Sequence, residues 1–469
     1  MIAALRERPP ASSVITWLIV AVVLAAAGLL GFRAAPRWLA LSAAGLAALV
    51  LLRRPALGLA AVVAAALVTS LEIGTGTEVK LNPATLLIPV LLGIWLLGML
   101  LRRDLRLATA RANRPLILFL LAGLLSLGVG TATWDPIVPR SGNFLLVQLA
   151  QWAIFAFSAG AFWLTANLAP DEARLRRLTW TFLLLAGGVA LLRLLPGAAA
   201  LVGRFTTVAF IRAPFWVLLA GLAGGQLLFN AALRPLARLF LALVLAACLA
   251  YAFLEQREGA SNWVGVGAAL GVLAWLRFPR LRWLVIVAVA GLLLIGILFP
   301  AVYNFAGGDA EWNLSGGSRL TLIERVVSVT LRNPITGLGP AAYRPYANMQ
   351  PLFYLGAYWI APQINSHNNY VDLFAHVGLL GLGLFFWFAF EVARLGRRLR
   401  VRYAEGFSAG YVNGMLAVGA GSLVIMALAD WMLPFVYNIG FEGFQASVLV
   451  WLFLGGLVAL EQIAGGSLG

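Results

Sequence analysis

Cysteine occurs once and histidine twice in 469 residues, and each scarcity closes off a class of chemistry. Cys248 sits alone in an apolar run, so neither a disulfide framework nor a thiolate metal site is expected, and redox chemistry goes with them. His367 and His376 stand nine residues apart and do not build a usual zinc or magnesium site; no metal and no cofactor is expected. Charge is also thin. Only 11% of residues are Asp, Glu, Lys or Arg, against about a quarter in soluble domains. Acidic residues are the scarcer kind, 18 against 34 Lys and Arg, which leaves a formal charge of +16. That surplus would suit nucleic acid on a soluble chain. Here it collects in short loops between apolar runs, where it fixes topology and meets anionic lipid headgroups, and no nucleic-acid partner is expected.

What the sequence has in quantity is apolar length. It is 62% hydrophobic with mean hydropathy +0.92, and windows without charge recur along it. About 20 apolar residues carry a helix across the ~30 Å hydrocarbon layer with its backbone amides satisfied internally. The expected fold is therefore an all-α polytopic membrane protein of 12–14 transmembrane helices, one membrane domain over 1–469. The spans are predicted at 14–32, 38–52, 56–71, 83–101, 115–133, 144–167, 178–195, 213–232, 239–254, 260–276, 282–300, 370–390, 411–429 and 444–462. The first run is long enough to span and leads to no small-residue cleavage pattern, so it is taken as a helix.

Arginines set the expected orientation. Arg53–Arg54, the Arg102–Arg114 group, Arg174–Arg176–Arg177, Arg234 and Arg238, Arg277–Arg280–Arg282 and Arg394–Arg402 fall in alternate loops. Those loops are predicted to be cytoplasmic, with both termini inside. One outward loop is far longer than the rest. Residues 301–369 contain Trp312, Tyr343, Tyr346 and Trp359, an amphipathic stretch from Leu320 to Thr330, and the turn Gly337-Leu338-Gly339-Pro340. Short helices are expected inside this large periplasmic loop, with its aromatic part at the membrane interface.

Outward arginines run against the topological trend and need another reason. Arg204 and Arg212 precede the eighth predicted span, Arg257 sits in a tight turn, and Arg319, Arg325, Arg332 and Arg344 lie in the long loop. A guanidinium stays charged and matches phosphate oxygens with a planar fork of donors, so converging arginines suggest a polyphosphate ligand. Pairing with Asp135, Glu255 or Glu324 is the plainer alternative. His367 stands among Asn365, Ser366, Asn368 and Asn369 at the loop's end, placed to take a proton near neutral pH. His376, two and a half turns deeper, reads better as a hydrogen-bonded packing residue. Asp430-Trp431 and Glu442 are candidates for orienting partners, or ordinary interfacial groups.

The run His367-Asn368-Asn369-Tyr370 through Gly378-Leu379-Leu380-Gly381 resembles the His-Asn motif and following helix of the O-antigen ligase and polymerase superfamily. Ser318-Arg319 and the later Asn333-Pro334-Ile335-Thr336-Gly337-Leu338-Gly339 are similar to that family's upstream segment, in the same order. Gln256-Arg257-Glu258-Gly259 resembles another of its turns but carries glutamine and glutamate around the arginine. Arg212 matches a further family arginine, in competition with Arg204.

The resemblance implies a metal-independent, inverting glycosyltransferase of the bacterial inner membrane. Its donor would be a glycan on undecaprenyl diphosphate, and its acceptor lipid A-core or another glycan on the periplasmic face. Arg319 and His367 would be catalytic, Arg257, Arg212, Arg204 and Arg325 would hold the diphosphate, and Asn368 and Asn365 would support. A polymerase of the same superfamily is the first alternative. A peptidoglycan glycosyltransferase of the shape-and-division class depends on a loop aspartate instead. A lipid-linked-glycan flippase calls for ionisable groups within broken helices near the midplane.

Overall fold

A computed structural model describes residues 50–51, 54–70, 72–74, 80–195, 197–255, 260–287, 290–291, 322–349, 352–354, 357–359 and 366–466. Predicted spans 14–32 and nearly all of 38–52, most of 282–300, and Arg257, Arg319 and Asn365 lie outside these. The chain divides into two compact units, residues 1–58 and 59–469, and nearly all of the described residues belong to the second.

The chain is predominantly helical, as its apolar windows require. In order it runs α1 (Pro55–Val68), a two-residue hairpin of β1 (Ile73–Gly74) and β2 (Lys80–Leu81), α2 (Pro83–Arg102), α3 (Asn113–Ala132), α4 (Phe144–Leu168) and α5 (Glu172–Arg193). Next come α6 (Ala198–Phe205), a 3₁₀ turn at Val208–Ile211, α7 (Ala213–Phe229), α8 (Pro235–Ala250) ending in a π turn, and α9 (Ala260–Arg277). Helix α10 covers 322–330. After it stand α11 (Tyr343–Asn348), the antiparallel strands β3 (Leu352–Tyr354) and β4 (Ala357–Trp359), α12 (Asn369–Arg402), α13 (Gly406–Met426) and α14 (Gly440–Gly466).

Among the described residues eight helices are long and apolar enough to cross a membrane: α2, α3, α4, α5, α8 with its π turn, α12, α13 and α14; α1 and α7 are shorter apolar helices. This is a multi-pass membrane protein. The apolar window of α14 is wholly buried. Small residues let neighbours close in: a Cβ on Gly225 of α7 would lie 2.4 Å from the Gly410 carbonyl oxygen of α13. Such contacts substitute for the hydrophobic drive that lipid-solvated helices lack.

Two boundaries differ from the sequence expectation. Arg174, Arg176 and Arg177, expected in a loop, occupy the first turns of α5, which starts at an Asp171 cap accepting from the Arg174 N–H at 2.7 Å. Arg394–Arg402, also expected in a loop, continue α12 to Arg402. Cations suit the negative end of a helix, so α12 runs on past its apolar stretch. The expected amphipathic stretch 320–330 is helical from 322; the β3–β4 hairpin was not foreseen.

Candidate functional site

Helix α12 is not continuous. Gly378 adopts φ 65° and ψ −171°, a region open essentially to glycine alone, and the helix breaks there. The freed amides find partners in the loop after α10. Leu379 and Leu380 donate to the carbonyls of Pro334 and Ile335 at 2.9 and 3.0 Å, while the Leu338 N–H donates to Ala375 at 2.8 Å. The Pro334–Gly339 segment thus fills the break, which is how an apolar environment tolerates interrupted helix. The fit leaves no room for side chains. A Cβ on Gly378 would stand 2.2 Å from the Ile335 carbonyl oxygen, and one on Gly337 2.6 Å from the Gly378 nitrogen.

His376 belongs to this joint. It is buried, its Nδ1 accepts from the Ala341 N–H at 3.1 Å, and its ring stacks on Phe435 with centroids 5.3 Å apart. The packing role expected for it is the one observed.

His367 lies just before the first turn of α12, half-buried, with φ 51°. Histidine is one of the few residues with a side chain that visit this region. Both neighbours are fixed. Ser366 Oγ donates to Asp372 Oδ1 at 2.7 Å and accepts from the Asn368 N–H at 3.2 Å. Asn368 caps α12, its Oδ1 accepting from the N–H groups of Tyr370 and Val371 at 3.0 and 3.3 Å. Its Nδ2 donates to the Ala427 carbonyl at 3.2 Å, tying the cap to the end of α13.

The connector 427–439 packs beside this turn, buried at 429–430 and 432–436 yet with few regular backbone bonds, and side chains supply the partners instead. Asn369 Oδ1 accepts from Met432 and Leu433 N–H at 2.9 and 3.2 Å, and its Nδ2 donates to the Leu433 carbonyl at 2.9 Å. From α4, Gln151 donates to Pro434 and accepts from Val436 at 3.0 and 2.8 Å. Asp430, 1% exposed, accepts from the Phe435 N–H at 2.9 Å and the Asn438 amide at 3.0 Å. Burial raises its carboxyl pKa from the ordinary value, against the pull of those donors and of the Arg212 charge.

Arg212 reaches the same connector. Its guanidinium stands 5.5 Å above the Trp431 ring and 3.8 Å from Glu442, and its Nε is buried with no partner among the described residues. Burial lowers its pKa, with Glu442 and Asp430 pulling it back up. Arg344 lies 4.0 Å from the centre of the Tyr437 ring. The turn at His367, the Asp430–Tyr437 connector and Arg212 therefore share one end of the bundle.

Three more of the candidate arginines fall within the described residues. Arg204 lies on α6, and its side chain is outside the described residues. Arg325 donates to the Ala347 carbonyl at 2.5 Å beneath α11. Arg332 meets Asp135 at 2.5 Å and lies 5.2 Å from the Tyr346 ring centre, the ion pairing that sequence offered as the plainer alternative.

Sequence reasoning passed over Asp372, although an acidic residue in the first turn of an apolar helix is itself a signal. It is 3% exposed and anchors Ser366. The clamps Gln151 and Asn369 carried no comparable mark.

A broken helix, a capped histidine turn and a half-buried arginine thus stand together at one end of a helical bundle, where a guanidinium has the planar donors that suit an anion. Residues 243–386, from within α8 to the middle of α12, match the family Wzy_C, described as O-antigen ligase. The match supports assigning the chain to the O-antigen ligase and polymerase superfamily, and with it a general class of glycan-transferring membrane enzymes. No curated protein matches the chain.

Proposed function

We propose that the protein is an O-antigen ligase-type glycosyltransferase that moves a glycan from undecaprenyl diphosphate to the hydroxyl of lipid A-core or a similar acceptor. The reading rests on one observation above the rest: His367 stands at a partly exposed turn between two locked neighbours, at the bundle end that also carries Arg212. A base has to be fixed in direction and open to substrate, and this turn supports both.

In the proposed reaction His367 takes the proton from the acceptor hydroxyl as that oxygen bonds to the anomeric carbon. The bond from that carbon to the diphosphate oxygen breaks, and the configuration inverts. Undecaprenyl diphosphate leaves with the electron pair. Its added charge is met by Arg319, Arg257 and Arg212, with Arg204 and Arg325 as further donors, so fixed cations do the work without a metal. Asn368 and Asn365 support the histidine. We place this site on the periplasmic face, within and around the 301–369 loop of a single membrane domain whose termini are cytoplasmic.

The test supplies purified protein with lipid-linked glycan, offering lipid A-core and a second lipid-linked repeat as separate acceptors, with and without chelator. Transfer to lipid A-core that survives chelation is the expected result. Elongation of the lipid-linked repeat alone would make the protein a polymerase, and loss of transfer on chelation would overturn the metal-independent mechanism.

A further inference from the structure

The opposite end of the bundle carries a second feature that glycan transfer does not use. Three helices run from the candidate site to it: α3 in reverse, α12 and α14. From the break at Gly378 to Arg398 α12 runs 20 positions, about 30 Å at ~1.5 Å per residue, roughly the hydrocarbon thickness. There an open cavity of about 640 Å³ is bordered by Arg111, Arg114, Arg398 and Glu461.

Its electrostatics leave positive charge over. Arg398 meets Glu461 at 2.8 Å. Arg111 and Arg114 have no carboxylate at ion-pair distance among the described residues, and Arg114 lies 5.8 Å from the centre of the Trp387 ring. The floor is built rather than loose. Gln462 donates to the Thr109 carbonyl at 2.7 Å, and Asn113 bridges the Ala108 carbonyl and the Trp163 indole. On one side the wall turns apolar at Ile117 and Leu118. Beyond Ile117 the outer face of α3 presents Leu121, Leu124 and Leu125 at helical spacing, all exposed, and α12 presents Trp387 and Phe390.

A cationic cup that opens onto an exposed apolar track has the chemistry of a phospholipid site: guanidiniums for the phosphodiester, leucines for the acyl chains. Inorganic phosphate would use the first part and leave the second without a purpose. We infer that this cavity binds an anionic phospholipid, its phosphodiester between Arg111, Arg114 and Arg398 and its chains along α3 and α12. The occupant lies a bilayer away from the turn at His367, so it is a bound membrane lipid and not the glycan donor.

Native mass spectrometry of the full-length protein in detergent tests this, with added phosphatidylglycerol or cardiolipin against phosphatidylcholine. Anionic lipid should be retained over zwitterionic lipid, with retention falling roughly fivefold for each of Arg111 and Arg398 changed to alanine. Thr109→Asp, which sets a carboxylate at an exposed position of the mouth in place of the hydroxyl that contacts Gln462, should also release it; Arg176→Ala on α5 should not. Excess inorganic phosphate should displace the lipid at most partly. Equal retention of phosphatidylcholine, undiminished binding by Arg111→Ala/Arg398→Ala, or full displacement by inorganic phosphate would each overturn the inference.

Discussion

The N–H of Leu379 donates to the carbonyl of Pro334 at 2.9 Å, a bond between a helix and a loop that stand 45 positions apart in sequence. It joins the two motifs that carry the family resemblance. The Pro-x-x-Gly-x-Gly segment is not merely upstream of the histidine helix; it takes the place of a turn within it.

Gly378 is the point where that joint fails first. Gly378→Ala combines a backbone region closed to side chains with a 2.2 Å approach to the Ile335 oxygen, and is expected to cost more than about 3 kcal/mol and most of the folded yield. Gly383→Ala, five residues on in the same helix with open space at its Cβ, should be tolerated. Thermal melting and monodisperse yield in detergent compare the two.

The Arg332–Asp135 pair should leave a pH signature. Arg332 and the Ile137 N–H hold the Asp135 carboxyl below its ordinary value, so the stabilisation is fully present above the unfolded pKa and lost as pH falls through the folded one. Asp135→Asn should therefore melt below the wild type near neutral pH, with the gap closing below about pH 4. A gap that stays constant into acid would show that the pair's charge is irrelevant.

Tyr343 offers a test of the opposite sign. Burial pushes its phenol up to about 12, and its hydroxyl has no hydrogen-bond partner among the described residues. Removing a buried group without partners costs little, so Tyr343→Phe is expected to melt at or above the wild-type temperature. A drop of several degrees would mean that the hydroxyl has a role.

Much of this arrangement was legible in the sequence. Apolar windows located the long helices because length and hydropathy leave a membrane-spanning backbone few options. The Gly-rich turn was visible as a turn, and His367 stood out because histidine is so rare here. What could not be read was partnership over distance. Nothing local says that Pro334–Gly339 completes α12 at Gly378, that Asn369 and Gln151 together clamp the 427–439 connector, or that Asp372 anchors Ser366. Helix ends were misjudged at α5 and α12 because arginine was taken to mark a loop, whereas it also suits a helix that continues beyond its apolar part.

Arg212 separates charge from geometry. If its guanidinium holds the diphosphate, Arg212→Lys should recover little of the transfer lost in Arg212→Ala, because an ammonium cannot offer the planar fork. The loss should appear as a raised KM for the lipid-linked donor together with a lower kcat. Full activity in Arg212→Lys would reduce the residue to a point charge beside Glu442 and Asp430.

Everything in the proposed reaction turns on His367 taking the acceptor proton, and glycan transfer by purified His367→Ala tests that most directly. An approximately 10²–10⁴-fold loss in kcat is expected, with unchanged melting temperature and retained donor binding. Wild-type transfer by a correctly folded His367→Ala protein would contradict it.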